Sequence, residues 1–164
     1  METLLDLLEA EAYRLSMSLV RMLVVDDYAP FCQLIRAMLQ RAEFQVIGQA
    51  SDGLEAVRKT QELQPDLILL DVSLPSLNGL ETAKRIRTVA PSSKILFISQ
   101  ESDSDVVREA LALGALGYVH KSRAQTELWP AIEAVLAGRQ FVSSGMKGYD
   151  DAKSVIASHR MRLA

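Results

Sequence analysis

Cysteine is almost missing from the chain: among 164 residues there is one, Cys32, so no internal disulfide can form. Long apolar runs are lacking too. Crossing a bilayer takes about 18–20 consecutive apolar residues, and Arg21, Asp66 and Asp71 interrupt the best candidates. No charged, apolar, small-residue signal pattern opens the chain. These absences predict a soluble protein of the reducing cytoplasm, with no membrane partner. There is also no basic excess, since 18 Lys and Arg stand against 21 Asp and Glu for a formal net charge of −3. Nucleic-acid backbones are held by clustered positive charge, so direct binding to nucleic acid is not expected.

What is present is a core. At 49% hydrophobic residues the chain can fold as one domain with short terminal additions. From residue 22, short apolar runs alternate with stretches of helical period: MLVV, then Phe31, Leu34, Ile35, Met38 and Leu39, then FQVIGQA. The alternation continues with a helix near 53–64, strand DLILL at 66–70, a helix over 80–88 and strand KILFIS at 94–99. It ends with a helix over 103–113, strand GYVH at 117–120 and a helix over 124–137. Five strand–helix pairs predict an α/β fold, a doubly wound parallel sheet covered on both faces. MLVV, LILL and ILFI are apolar without alternation, as central strands buried on both faces are. FQVIGQA and GYVH carry polar positions, which predicts the second and fifth strands as edges and the order 2-1-3-4-5.

The flanks differ from this unit. Residues 1–20 place Leu4, Leu8, Ala12, Leu15 and Leu19 on one face of an acidic amphipathic helix. The expected domain spans 21–140. Residues 141–164 form a tail, helical in part, with Ala152, Val155, Ile156, His159 and Leu163 on one face and a basic end. Gly145 and Gly148 mark its hinge.

In the predicted order the winding reverses between strands one and three, and the crevice at their carboxyl ends is where such sheets bind ligands. Asp26 and Asp27 end strand one, and Asp71 ends strand three. Taken alone, an Asp pair after a strand reads as a turn or helix cap. Three carboxylates converging in a partly desolvated crevice repel by several kcal/mol per pair unless a cation lies among them. With only oxygen donors available, that cation is Mg²⁺ or a similar hard ion rather than zinc. Ser99 after strand four and Lys121 after strand five bring a hydroxyl and an ammonium to the same crevice. A carboxylate attacker, a metal, a hydroxyl and a lysine are what phosphoryl transfer to an aspartate requires. Asp71 is the expected attacker, because the adjacent Asp26 and Asp27 are better placed as metal holders.

These residues resemble the receiver domains of two-component response regulators: VVDD at 24–27, LLDVSLPSLNGLE at 69–81, FIS at 97–99 and GYVHKS at 117–122, in order and at matching spacing. The resemblance covers about 21–140 and implies a flavodoxin-like sheet. It implies Asp71 as phosphoacceptor, Mg²⁺ held by Asp27, Asp71 and the backbone carbonyl of Ser73, and Asp26 assisting through water. Ser99 corresponds to the switch hydroxyl, Lys121 to the family lysine and Tyr118 to the aromatic that turns inward on activation. Ser73 is placed to tune the lifetime of the acyl phosphate. Ser122 follows the lysine where many members have proline. The implied partner is a sensor histidine kinase or phosphotransfer protein, with phosphorylation remodelling the face made by the 103–113 helix, the fifth strand and the 124–137 helix. That face would bind a partner or form a homodimer. The chain is not expected to be an enzyme beyond gaining and losing its own phosphoryl group.

AGRQFVSS at 137–144 further resembles the end of receivers of the LuxR/NarL type, which continue into a helix-turn-helix domain. Only 20 residues follow Ser144, too few for such a module, so the expectation is a receiver lacking its DNA-binding output. The alternative is the receiver part of a LuxR-type transcriptional regulator. An Asp-dependent phosphatase of the haloacid-dehalogenase type is a poorer match, since those enzymes resemble D-x-D and here the acids are adjacent. Cys32 reads as packing or surface beside Phe31, Asn78–Gly79 as a turn into a helix, and His120 and His159 have no evident partner.

Overall fold

The computed structural model of the protein describes residues 3–41 and 43–146. Six strands form one parallel sheet: β1 (Val20–Val25), β2 (Phe44–Ala50), β3 (Leu67–Leu70), β4 (Lys94–Ser99), β5 (Gly117–His120) and β6 (Phe141–Val142). Their order is β2-β1-β3-β4-β5-β6. The predicted doubly wound arrangement is therefore present with one addition. The short β6 pairs in parallel with β5, Gly117 opposite Phe141 and Tyr118 opposite Val142, so β5 is not the edge strand expected from its length. Two residues of FV carry no periodicity that would mark a strand; tertiary pairing alone makes them one.

Helices α2 (Ala29–Met38), α3 (Gly53–Leu63), α4 (Gly79–Val89), α5 (Ser104–Ala112) and α6 (Ala124–Leu136) flank the sheet, and α1 (Leu4–Ser18) precedes it. Successive residues of the inner strands serve opposite faces, as the strand period of two requires. Leu23, Val25, Ile68, Leu70, Ile95 and Phe97 pack with Ala56, Ile86 and Val107 from α3, α4 and α5. Met22, Val24, Leu67, Leu69, Leu96 and Ile98 pack with Ile35 of α2 and Leu128 and Ile132 of α6. Both faces are dry, which is why these strands read as unbroken apolar runs.

The helix starts follow local chemistry. Pro30 occupies the first turn of α2, where a missing N–H costs nothing. Asp52, Asn78 and Asp103 cap α3, α4 and α5 by accepting backbone N–H bonds from Glu55, Glu81 and Asp105. The expected helical tail falls almost wholly on residues 147–164, outside the described residues.

Candidate functional site

The carboxyl ends of β1 and β3 lie side by side, with Val25 paired to Leu70. The Asp71 N–H donates to the Val25 carbonyl at 3.0 Å, which carries the sheet register one residue beyond the strands and fixes the acceptor's backbone. Asp26 is held likewise, its N–H donating to the Ala50 carbonyl at 3.1 Å. The Asp26 and Asp71 side chains are buried and Asp27 is exposed at the rim. One carboxylate oxygen from each of the three lies within 4.8 Å of the others. The predicted convergence is present.

Lys121 opens a 3₁₀ turn, Lys121–Arg123, directly after β5. Its Nζ lies 2.6 Å from Asp26 Oδ2 and 2.9 Å from Asp71 Oδ2, so one ammonium bridges the two buried carboxylates. The same Nζ sits 4.5 Å from the centroid of the Phe31 ring, whose face also favours a cation. The remaining Asp26 oxygen accepts from the Tyr28 N–H at 2.8 Å, and Asp71 Oδ1 accepts from the Ser73 N–H at 3.3 Å.

Charge follows from this packing. Burial, opposed by the bonds from Lys121 and the Tyr28 N–H and reinforced by Asp71, pushes the Asp26 carboxyl above its ordinary range. Burial pulls the Lys121 amine down, but hydrogen bonds to Asp26 and Asp71 and the charge of both more than offset it, so the ammonium is held above its ordinary value. The cluster still carries three acids against one ammonium. All its donors are hard oxygens, the set that suits Mg²⁺, so the residues fit such an ion.

Ser99 ends β4 and is wholly buried, its Oγ accepting from the Glu101 N–H at 3.1 Å. Since Leu70 pairs with Phe97, Ser99 stands one residue beyond the level of Asp71 on the neighbouring strand. Tyr118 is also wholly buried, stacked 6.0 Å from Phe97. Its hydroxyl donates to the Glu101 carbonyl at 2.7 Å. Burial, eased by Ser99 and reinforced by Glu101 and Asp71, pushes its phenol up to about 12. The aromatic expected to turn inward on activation is already buried here. The Lys121–Ser122 peptide is trans.

Sequence reasoning missed three contributors. In the sequence Gly79 reads only as part of a turn. A Cβ there would stand 2.0 Å from the Asp71 carbonyl oxygen and 2.7 Å from Val72 Cα, so glycine alone lets the start of α4 press on the acceptor's backbone. His120 has partners after all: Nδ1 lies 2.6 Å from Ser122 Oγ and Nε2 lies 3.0 Å from the Gln100 carbonyl oxygen. Ser143, buried beside β5, donates its N–H to the Tyr118 carbonyl at 2.9 Å, while its Oγ accepts from the His120 N–H at 3.0 Å and donates to Glu127. No spacing signal announces the last two, because their partners other than Ser122 are 16 or more residues distant. Cys32 is buried packing, as expected, its thiol near the Asp26 carbonyl at 3.4 Å.

Comparison with known proteins gives this geometry a family. The sequence matches the response regulator receiver domain over residues 22–133. It is 34% identical over 126 residues to response regulator GacA of Pseudomonas viridiflava, covering 76% of this chain and 59% of that protein. It is 35% identical over 101 residues to the chemotaxis protein CheY of Thermotoga maritima, covering 62% of this chain and 84% of that one. Among solved structures, a LuxR-family two-component response regulator from Aurantimonas superimposes with a TM-score of 0.77 at 33% identity, covering 84% of this chain and 99% of the other. The chain spans less than two thirds of the length of several curated relatives, GacA among them. No described helix is long and apolar enough to cross a membrane. With the acid cluster, the bridging lysine and the buried hydroxyl in their places on the sheet, the chain belongs to the response regulator receiver domain family.

Proposed function

We propose that the protein is a phosphoacceptor of a cytoplasmic two-component system, taking a phosphoryl group onto Asp71 from the phosphohistidine of a sensor kinase or phosphotransfer protein. The observation that carries this reading is the Lys121 ammonium seated between Asp26 and Asp71, with Ser99 buried one strand away. A carboxylate oxygen of Asp71 attacks phosphorus, the bond from phosphorus to the donor nitrogen breaks, and the donor imidazole leaves with that electron pair. Lys121 neutralises the oxygens that gain charge, and the Ser99 hydroxyl is available to donate to one of them. Asp26, Asp27, Asp71 and the Ser73 carbonyl would hold Mg²⁺, which when bound neutralises phosphoryl charge.

The phosphorylated aspartate carries added negative charge next to Lys121 and Ser99. Their movement toward it bears on Tyr118 through Glu101, which both Ser99 and Tyr118 engage. The face formed by α5, β5 and α6 is the output surface, offered to a partner or a second copy. The chain acts as substrate and self-hydrolysing acceptor rather than as an enzyme. A second reading, favoured by the length of its relatives, is that it corresponds to the receiver part of a LuxR/NarL-type DNA-binding regulator. A phosphatase reading has no support beyond the shared use of aspartate.

The test is mass spectrometry after incubation with acetyl phosphate and Mg²⁺. One labile phosphoryl group is expected on the peptide containing Asp71, absent in Asp71→Asn and absent in EDTA. Full labelling of Asp71→Asn overturns the assignment.

A further inference from the structure

His120 is the last residue of β5, paired with Ser99 at the end of β4, and Lys121 follows it directly. Its half-buried ring touches the segments that carry both groups. On one side Nε2 lies 3.0 Å from the carbonyl oxygen of Gln100, the residue after Ser99. On the other, Nδ1 lies 3.3 Å from the Ser122 backbone nitrogen and 2.6 Å from Ser122 Oγ, and so caps the 3₁₀ turn that opens on Lys121. A proline at 122 would have no N–H to offer this cap.

The two backbone partners fix the tautomer. A carbonyl oxygen only accepts and a backbone N–H only donates, so the neutral ring carries its hydrogen on Nε2 and leaves Nδ1 bare. A proton on Nδ1 would meet the Ser122 N–H donor to donor. The Ser122 hydroxyl can turn to accept from it, but the N–H cannot, so the turn loses its cap while Gln100 stays held. The charged groups around the ring lie on three elements. Lys121 and Arg123 line the same pockets as His120. Glu127 of α6 accepts from Ser143 and pairs with Arg123 at 3.5 Å, and Glu101 after β4 accepts from the Asp103 N–H at 3.2 Å.

We propose that His120, in its neutral form, is a positioning residue for phosphoryl transfer to Asp71: it clasps the turn of Lys121 to the loop of Ser99, so that ammonium and hydroxyl stand at a fixed separation. The role rests on the phosphoacceptor reading above. Asp26 and Asp71 draw on the Lys121 ammonium, whereas the clasp fixes the backbone from which that side chain reaches. Tyr118 already fastens Glu101 to β5, so what His120 adds is the join between the loop and Lys121. The transfer needs both groups on the phosphoryl oxygens at once, and small misplacements of such groups are costly.

Three variants of the full chain separate the two ends. His120→Asn puts an amide oxygen where Nδ1 stands and caps Ser122 only; His120→Gln puts an amide nitrogen where Nε2 stands and reaches Gln100 only; His120→Leu does neither. The initial rate of Asp71 labelling by acetyl phosphate and Mg²⁺ is followed from about pH 8 down to about pH 5.5, the range in which imidazole changes charge. At the upper end His120→Leu is expected to label about tenfold more slowly than wild type, with the two amides between. On acidification the ratio of wild type to His120→Gln falls to about one, because the imidazolium keeps only the end that glutamine keeps. The ratio of His120→Asn to His120→Gln stays constant. A uniform loss of stability would slow labelling without this dependence on pH. Hydrogen exchange at the Ser122 amide, measured without phosphodonor, should be faster in His120→Gln and His120→Leu than in wild type and His120→Asn. Labelling of His120→Leu at the wild-type rate, a wild-type to His120→Gln ratio that ignores pH, or equal exchange in all four proteins each overturns the proposal. A wild type that takes no label while the exchange order holds overturns the phosphoacceptor reading, and with it the role in transfer, but not the clasp.

Discussion

The phenol of Tyr118 donates to the backbone carbonyl of Glu101 at 2.7 Å, fastening the middle of β5 to the loop that follows β4. Ser99 accepts from the N–H of the same residue. The backbone of one residue, Glu101, therefore engages both the strand end nearest the acceptor and the aromatic of the output face. Tyr118→Phe removes the bond while keeping the ring stacked on Phe97, and a loss of about 1 kcal/mol in urea unfolding is expected. Tyr118→Ala empties a wholly buried site and is expected to cost about 3–5 kcal/mol. Equal losses for the two would show that the ring, not the bond, does nothing for stability.

Lys121 neutralises two carboxylates that are almost wholly buried. Its replacement by methionine leaves like charges facing each other, and about 3–5 kcal/mol of stability should be lost at neutral pH. Millimolar Mg²⁺ should restore more stability to this variant than to the wild type, as read by thermal melts with and without EDTA. An unchanged melting temperature would contradict the bridging role.

Asp26 supplies a pH signature. Its folded pKa is raised by burial, so the native state binds a proton more readily than the unfolded chain. Asp26 thus favours folding as pH falls through that raised value and opposes it above. Asp26→Asn removes this dependence. In EDTA, the stability of the variant relative to wild type is expected to rise as pH increases from the carboxylate range toward neutrality. A difference independent of pH would mean that Asp26 titrates normally.

Gly79 admits no side chain. Gly79→Ala would force a methyl group against the Asp71 carbonyl, an overpacking expected to cost about 3 kcal/mol and to slow labelling of Asp71. Gly138→Ala is the control. Its φ of 74° is strained for alanine, but nothing lies within 4 Å, so about 1 kcal/mol and unchanged labelling are expected.

Ser143→Ala deletes the hydroxyl that joins the His120 N–H to Glu127 and leaves both without that partner. About 1–3 kcal/mol should be lost. Hydrogen exchange of the Ser143 and Phe141 amides, which pair with Tyr118 and Leu116, should accelerate more than that of β1.

Much of this molecule was legible from residue order, for identifiable reasons. Strands β1, β3 and β4 announce themselves because residues buried on both faces must be apolar at every position. Asp26, Asp27, Asp71, Ser99 and Lys121 stand out because each follows such a run, and a parallel sheet aligns those ends. The strand β6 escaped notice because two residues have no period. The supports from Gly79, His120 and Ser143 escaped because they depend on distance in space. Asn78–Gly79 shows both sides: the cap was readable, while the contact of Gly79 with Asp71 was not.

Local order determined the alternation of strand and helix, the dry strands and the chemical inventory of the crevice, since apolar period and strand-end position are properties of neighbouring residues. Tertiary structure alone decided that one ammonium lies between Asp26 and Asp71, that Tyr118 faces inward against Glu101, and that a two-residue strand closes the sheet. Those outcomes are set by separations of a few ångströms between segments far apart in the chain, and only the packed sheet establishes them.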